Sequence, residues 1–237
     1  MMDALILSAG LGTRLGSLTV DTPKPMIKIG DQPLLKINLD KLISLNVHRV
    51  FINTHYKGEV ISKYIREIFD LKSKVVLLHE PELLGTAGTV QKLVNTHDIS
   101  DLIVIHGDNF FEDDLNKMLE NFSSLPDFFW GIAGYFRTNE PENFGIFELD
   151  NNNTIVGFHE KNANSVGGIA NSAIYMFNSK GLKNFAQLKI KKPDISLDVL
   201  PRLVGRIKAV ELDGLFLDIG TPANLQKANN FSNRKIN

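Results

Sequence analysis

The first half of the chain alternates short apolar, β-branched runs with stretches whose apolar residues recur at helical spacing. Residues 4–8, 50–53, 74–78 and 102–105 read as buried strands, each an apolar run of strand length. Between the first two, Leu35, Leu39 and Leu42 fall on one helical face. Between the second and third, Val60, Tyr64 and Ile68 do the same, backed by Ile61 and Ile65. Strand then helix, repeated, predicts right-handed crossovers and a mostly parallel sheet with helices on both faces. After about residue 125 the pattern changes: 128–136, 145–149, 154–159 and 173–177 are strand-like and separated by turn residues. Asp150-Asn151-Asn152-Asn153 has the composition of a hairpin turn. Helical signals return over 195–204 and after Thr221-Pro222, an N-cap residue followed by proline at the first helical position. No repeat or low-complexity linker divides the halves. The sequence therefore predicts a single α/β domain over 1–237, with lobes at 1–125 and 126–237 and an antiparallel or mixed extension of the sheet in the second.

Composition narrows the function classes. Lys and Arg total 26 against 27 Asp and Glu, a net charge of −1. A near-neutral chain has no global electrostatic reason to bind nucleic acid or an acidic membrane, so an anionic ligand must be held by a local cluster of donors. Cysteine is absent, which removes disulfides and thiolate metal sites. Residues 1–7 lack a basic segment followed by a long apolar one, and no apolar run approaches a membrane span. The expected location is the cytoplasm.

The segment from Ala9 to Gly16 follows the first predicted strand directly. Gly10 and Gly12 permit close approach of a ligand to the backbone, successive N–H groups can face phosphate oxygens, and Arg14 adds a planar cationic fork. A plain strand–loop connection would use the same glycines, so the pair alone decides nothing. Leu15 stands where the dinucleotide fingerprint needs a third small residue, and no Gly-Lys-Ser/Thr ends the loop as a Walker motif requires. Ten residues after Arg14, Lys24 is bracketed by two prolines in Thr22-Pro23-Lys24-Pro25, which stiffens its presentation.

Two isolated carboxylates fall after apolar runs. Asp108, in His106-Gly107-Asp108-Asn109, is placed at the carboxyl edge of the sheet, where open α/β sheets bind ligands. Asp218 follows Phe216-Leu217 and is not needed as a helix cap, because Thr221 fills that role. Two aspartates on one ligand-facing edge suit a Mg²⁺ ion, which prefers oxygen ligands and keeps waters and substrate phosphates in its shell. The six histidines, at 48, 55, 79, 97, 106 and 159, lack the spacing of a zinc site on one element.

Ser-Ala-Gly-Leu-Gly-Thr-Arg-Leu followed by Thr-Pro-Lys-Pro resembles the opening of the sugar-1-phosphate nucleotidylyltransferases, whose signature is Gly-x-Gly-Thr-Arg with Pro-Lys shortly after. The likeness continues over nearly the whole chain. It implies a Rossmann-like three-layer fold with a mostly parallel mixed sheet and an antiparallel sugar-binding extension. It further implies that Leu7, Ser8, Ala9, Gly10, Gly12 and Thr13 bind the nucleotide. Arg14, Lys24, Asp108 and Asp218 are implied as catalytic, with both aspartates on the metal.

Glu80-Pro81-Glu82-Leu83-Leu84-Gly85-Thr86-Ala87-Gly88 precedes a predicted helix. Gly85 and Gly88 either admit a flat base to the backbone or serve as a glycine-bearing helix entry; the family places such a segment, with Thr86, under the base. Guanine presents two donors that one carboxylate can accept, so Glu80 or Glu82 leans the reading toward GTP. The Leu-Gly-Thr-Ala-Gly string also looks like the branch that acts on mannose and heptose phosphates. For the sugar phosphate the resemblance points to Gly145, Glu160, Lys161 and Asn171, although Asn162 and Ser172-Ala173 depart from the family pattern.

The reading is therefore a transferase joining a nucleoside triphosphate to a sugar 1-phosphate, with Mg²⁺ and release of pyrophosphate. No nucleic acid or membrane partner is implied, and a homo-oligomer is left open. The chain stops soon after the helix at Thr221, so a stand-alone transferase is expected. The alternatives are uridylyl, thymidylyl or cytidylyl transfer, or a catalytically silent nucleotide-sugar-binding subunit.

Overall fold

The computed structural model describes residues 1–68, 74–161 and 167–236, without the side chains at 13, 14, 17, 235 and 236. Strand β1 (Met2–Leu7) leads through 3-10 turns at Thr13–Thr19 and Lys24–Met26 into a small hairpin, β2 (Lys28–Ile29) and β3 (Gln32–Pro33). Then come α1 (Leu34–Ser44), β4 (Val50–Thr54), α2 (Gly58–Ile68), β5 (Val75–His79), α3 (Thr86–Thr96), β6 (Asp101–His106) and β7 (Asn109–Phe111). The remainder runs α4 (Asn116–Ser123), β8 (Gly131–Arg137), β9 (Ile146–Leu149), β10 (Ile155–His159), β11 (Ile169–Phe177) and α5 (Ser179–Ala186). It ends with α6 (Leu200–Leu203), β12 (Ile207–Glu211), β13 (Phe216–Asp218) and α7 (Pro222–Ile236).

Two compact units interleave along the chain. The N-terminal unit holds Ala4–Leu83, Ile105–Glu112 and Gly214–Asn237; the central unit holds Met1–Asp3, Leu84–Val104 and Asp113–Asp213. Their boundaries differ from the lobes read at residue 125, because 105–112 and 214–237 pack with the first strands of the chain.

In the N-terminal unit, β1 pairs in parallel with β4 from Ala4↔Val50 to Leu7↔Asn53, and β4 with β5 from Val50↔Val75 to Thr54↔His79. This is the arrangement that the strand–helix alternation predicts, with α1 and α2 as crossovers. Helix α1 buries Leu34, Leu35, Asn38, Leu39 and Leu42, a stripe at 3.6-residue spacing. In α2 the buried seam is Gly58, Ile61 and Ile65, while Val60, Tyr64 and Ile68 are half-buried beside it. The two-stranded ribbon β7–β13 pairs Asp218 with Asn109, Leu217 with Phe110 and Phe216 with Phe111. Its Phe110 packs with Ile29, Leu34, Ile219 and Ala228, and Phe231 of α7 meets the Phe110 ring edge-on at 6.0 Å. Burying the Ile, Leu and Phe side chains of this cluster contributes roughly 2 kcal/mol each, which fixes the ribbon against α1 and α7.

The central unit is mixed: β8 runs antiparallel to β11 and parallel to β12, β11 meets β9 at Ala170↔Ile146, and β9–β10 is a hairpin. The hairpin turn forms where composition placed it. Asp150 Oδ1 accepts the N–H groups of Asn152 and Thr154, both at 2.8 Å, and Asn153 takes the left-handed conformation (φ 58). The strand expected at 128–136 begins only at Gly131. Phe129 N–H closes a turn on the Pro126 carbonyl, and the Arg206 guanidinium lies 3.9 Å from the Phe128 ring centre. The span 195–204 is a π-helical turn, Ile195–Val199, capped by Asp194 and followed by the short α6. Strand β12 and helices α4 and α5 are elements that the sequence reading missed. Among the described residues, no helix is long and apolar enough to cross a membrane.

Candidate active site

The loop after β1 is built on a buried polar chain. Ser8 N–H donates to Asn53 Oδ1 at 2.6 Å, and Asn53 Nδ2 donates to Glu80 Oε1 at 2.9 Å. All three residues are nearly sealed from solvent, at 2%, 3% and 1% exposure. Glu80 is also tied by its backbone, N–H to Thr54 O and carbonyl to His55 Nδ1 at 2.8 Å. Glu80 thus braces the start of the glycine loop through Asn53, while Glu82 is exposed. Beyond Ser8 and Ala9, Gly10 is exposed, and a Cβ there would meet nothing within 4 Å. Gly12 has φ +68, and a Cβ would lie 3.1 Å from the Thr19 methyl and 3.2 Å from Lys24 Cβ. The Thr19 hydroxyl lies within donor reach of the carbonyls of Gly12 and Gly16, at 3.0 and 3.1 Å, curling the loop onto itself. Tyr56 fixes the far end by donating to the carbonyls of Thr19 and Val20. The side chains of Thr13 and Arg14, two predicted site residues, lie outside the described residues.

Lys24 sits in the 3-10 turn between its two prolines and is 6% exposed. Its ammonium donates to Asp108 Oδ2 at 2.6 Å and to Asp218 Oδ1 at 3.1 Å. The ribbon explains why residues 110 positions apart in sequence meet: Asp218 pairs with Asn109, and Ile219 N–H donates to the Asp108 carbonyl at 2.9 Å. Asn224, in the first turn of α7, donates to the Asp218 carbonyl, and Thr221 Oγ1 accepts Asn224 N–H as the predicted cap. Burial pushes the Asp108 carboxyl up. The charge of Lys24, the charge of His106 and the hydrogen bond from Lys24 outweigh it and hold the group below its ordinary value. Among the described residues there is no cluster of three or more His, Cys, Asp or Glu side chains that could hold a metal ion. The chain thus offers a pair of hard oxygen donors already converged on one cationic group, with their side chains 31% and 28% exposed. That suits a divalent ion whose remaining ligands come from water and phosphate.

In the central unit, Gly85 begins α3 with φ 83 and ψ 160, a conformation essentially confined to glycine. Its missing Cβ faces the backbone of Lys192-Pro193, not open space: a Cβ would lie 2.5 Å from Pro193 O. The same carbonyl accepts the N–H groups of Ala87 and Gly88, and Thr86 Oγ1 bonds Asp194 Oδ2 at 2.8 Å. Of the two roles open for these glycines, helix entry accounts for the geometry of Gly85. Gly145, Glu160 and Asn171 come together: Asn171 N–H donates to Gly145 O at 2.8 Å, and a Cβ on Gly145 would lie 3.3 Å from Glu160 Oε2. The Asn171 amide is engaged within the fold, Nδ2 with Tyr175 Oη at 2.7 Å and Oδ1 with Ala173 N–H at 2.9 Å. Lys161 is exposed at the edge of 162–166, and Asn162 itself lies outside the described residues. Asn53 and Thr19 are the functional neighbours that sequence reasoning missed. Asn53 carried a signal, a lone amide closing an apolar strand at its carboxyl end.

The sequence model of the nucleotidyl transferase family matches residues 3–235. The chain is 32% identical to the D-glycero-alpha-D-manno-heptose 1-phosphate guanylyltransferase of Campylobacter jejuni, over 93% of this chain and 96% of that protein. It is 33% identical to the bifunctional protein GlmU of Methanocaldococcus jannaschii over its whole length, but spans only 55% of that relative. Among solved structures, HddC from Yersinia pseudotuberculosis, complexed with GMP-PN, superimposes with a TM-score of 0.80 at 31% identity, covering 98% of this chain and 100% of that one. The Rossmann-like α/β class read from the sequence is the class of these structural neighbours. The match of all but the first two and last two residues, with a heptose-phosphate guanylyltransferase of nearly equal length among the relatives, places the chain in the nucleotidyl transferase family.

Proposed function

We propose that the protein is a sugar-1-phosphate nucleotidylyltransferase that takes GTP and a mannose- or heptose-like sugar 1-phosphate and releases pyrophosphate. The observation that carries this reading is the buried Lys24 ammonium held between Asp108 and Asp218 beside a curled, glycine-bearing loop. A phosphate oxygen of the sugar 1-phosphate attacks the α-phosphorus, a new P–O bond forms, and the bond to the bridging oxygen breaks as pyrophosphate leaves. The nucleophile is already an anion, so no general base is needed, and the protein's task is positioning and charge neutralisation. The loop N–H groups from Ala9 to Thr13 cradle the triphosphate, with the Ser8 N–H held on Asn53 beneath them; Arg14 binds the leaving phosphates, and Lys24 neutralises the α-phosphate. Lys161 holds the sugar phosphate, with Glu160, Gly145 and Asn171 shaping the sugar subsite; Thr86 and Gly88 lie under the base, and Gly85 supplies the helix entry that positions them. Asp108 and Asp218 fit a Mg²⁺ ion, whose charge offsets that of the two phosphate groups when bound.

Guanine is supported by the guanylyltransferase name of the Campylobacter relative and by the GMP-PN complex of HddC. Glu80 supports the base indirectly, since its carboxylate holds Asn53 under the loop. Reaction in the cytoplasm follows from the supply of nucleoside triphosphates there. The test is pyrophosphate release across GTP, UTP, dTTP and CTP, each with mannose, heptose and glucose 1-phosphates. The highest kcat/KM should fall to GTP with mannose or heptose 1-phosphate. Preference for another triphosphate overturns the base, and silence with every pair favours a nucleotide-sugar-binding subunit.

A further inference from the structure

The catalytic cluster contains its own counter-ion. One ammonium lies within hydrogen-bond reach of two carboxylates, 2.6 Å from Asp108 Oδ2 and 3.1 Å from Asp218 Oδ1. Proline on either side of Lys24 fixes the backbone, so the four-carbon stem is what can move the charge. The carboxylates keep about a third of their side-chain surface open, whereas the lysine is almost fully enclosed. An ammonium within hydrogen-bond reach of both acids offsets half of their charge and repels a divalent ion brought to the same oxygens.

We propose that Lys24 is a displaceable internal cation. It satisfies Asp108 and Asp218 in the free protein, competes with the divalent ion for them, and yields them only when a phosphate arrives to take its charge. The metal ion therefore enters with the nucleotide and not before it, and the empty enzyme does not hold metal tightly. The inference rests on the proposed nucleotide and metal roles of these residues, but it makes a separate statement: Lys24 opposes metal binding in the absence of nucleotide, although it assists the reaction in its presence. A merely structural lysine would strengthen the site instead, by holding the acids in place.

The experiment titrates Mn²⁺ alone, with no nucleotide, into the wild-type protein and the variants K24M, K24Q, K24M/D108N and K24M/D218N. The free Mn²⁺ spin-resonance signal and the Mn²⁺-induced rise in Tm are both read. K24M and K24Q should bind Mn²⁺ roughly tenfold or more tightly than wild type, since the acids then carry their full charge. Their Tm without metal should fall and recover as Mn²⁺ is added. Either variant folding normally yet binding Mn²⁺ no better than wild type, undetectable binding included, overturns the proposal. The two double variants keep the failures apart. If removing either aspartate from K24M (K24M/D108N, K24M/D218N) leaves Mn²⁺ bound as tightly as in K24M, the carboxylate pair is not the metal site and the wider reading fails. If they bind more weakly than K24M while K24M binds no better than wild type, only the role of Lys24 falls.

Discussion

Replacing Gly85 with alanine isolates a structural demand that a binding role would conceal. At φ 83 and ψ 160 the backbone lies in a region where a side chain costs on the order of 1–3 kcal/mol. The new methyl would lie 2.5 Å from Pro193 O and 2.7 Å from the carbonyl carbon and oxygen of Lys192. All three are main-chain atoms with no rotamer to relax. Relief requires moving the 192–194 segment, which loosens the Pro193 carbonyl from Ala87 and Gly88 and Asp194 from Thr86. Overpacking of this kind costs another 1–3 kcal/mol, so G85A should lose roughly 2–6 kcal/mol. Against a total of about 5–15 kcal/mol, that is a large fraction of the fold's stability. Urea unfolding followed by circular dichroism, at unchanged m, is the measurement. The double variant K192A/G85A should not recover, because the clash is with backbone and not with the lysine side chain. A loss below about 1 kcal/mol, or rescue by K192A, would refute the reasoning.

Gly10 is the counterpart, since a Cβ there meets only open space. G10A should keep its stability within about 0.5 kcal/mol and lose kcat/KM for the triphosphate, so a stability loss with unchanged kinetics contradicts the loop assignment. N53A removes the partner of both the buried Ser8 N–H and the Glu80 carboxylate and should cost on the order of 2–4 kcal/mol in urea unfolding, a neutral result refuting the brace. D108N should lower turnover by roughly a hundredfold or more with Mg²⁺ present, and near-normal rates would remove Asp108 from the mechanism. Because the folded Asp108 carboxyl is held below its ordinary value, its stabilisation is present above that value and is lost as pH falls through the folded one. The stability gap between wild type and D108N should thus be steady from about pH 7 to 5 and shrink below that; a gap that widens in acid has the sign reversed.

What the sequence made legible follows from the range of each interaction. Strand–helix alternation is local, and β1, β4, β5 and their crossovers appear where the apolar runs put them. The Asp150 turn is local too, written in side chains that bond to their own backbone. Strand β12 was missed because Lys208 and Glu211 break its apolar run; what holds it is pairing with β8, more than 70 residues earlier. The 128–136 strand was placed too early because Phe128, Phe129 and Trp130 look like strand residues. All three instead take cationic partners on β12 and just before it, Arg206 over Phe128 and Trp130 and Lys208 near Phe129.

The candidate site divides along the same line. Position after an apolar run was enough to single out Asp108 and Asp218 as separate acids. Nothing local could say that they share one ammonium, because that follows from the β7–β13 register and from Ile219 bonding to the Asp108 carbonyl. The glycines show the converse. Gly10 and Gly85 look alike in sequence, each beside a threonine-bearing glycine motif, yet one faces open space and the other the Pro193 carbonyl. A glycine signals that something approaches its backbone, and only the fold tells whether a ligand or the chain itself does so. Lys24 extends the point to charge: two flanking prolines could be read as rigid presentation to a substrate, while the folded chain presents the ammonium first to its own acids. On the proposed roles, a group held that way acts only when a phosphate outcompetes two carboxylates for it, so that substrate binding itself frees the acids for a metal ion.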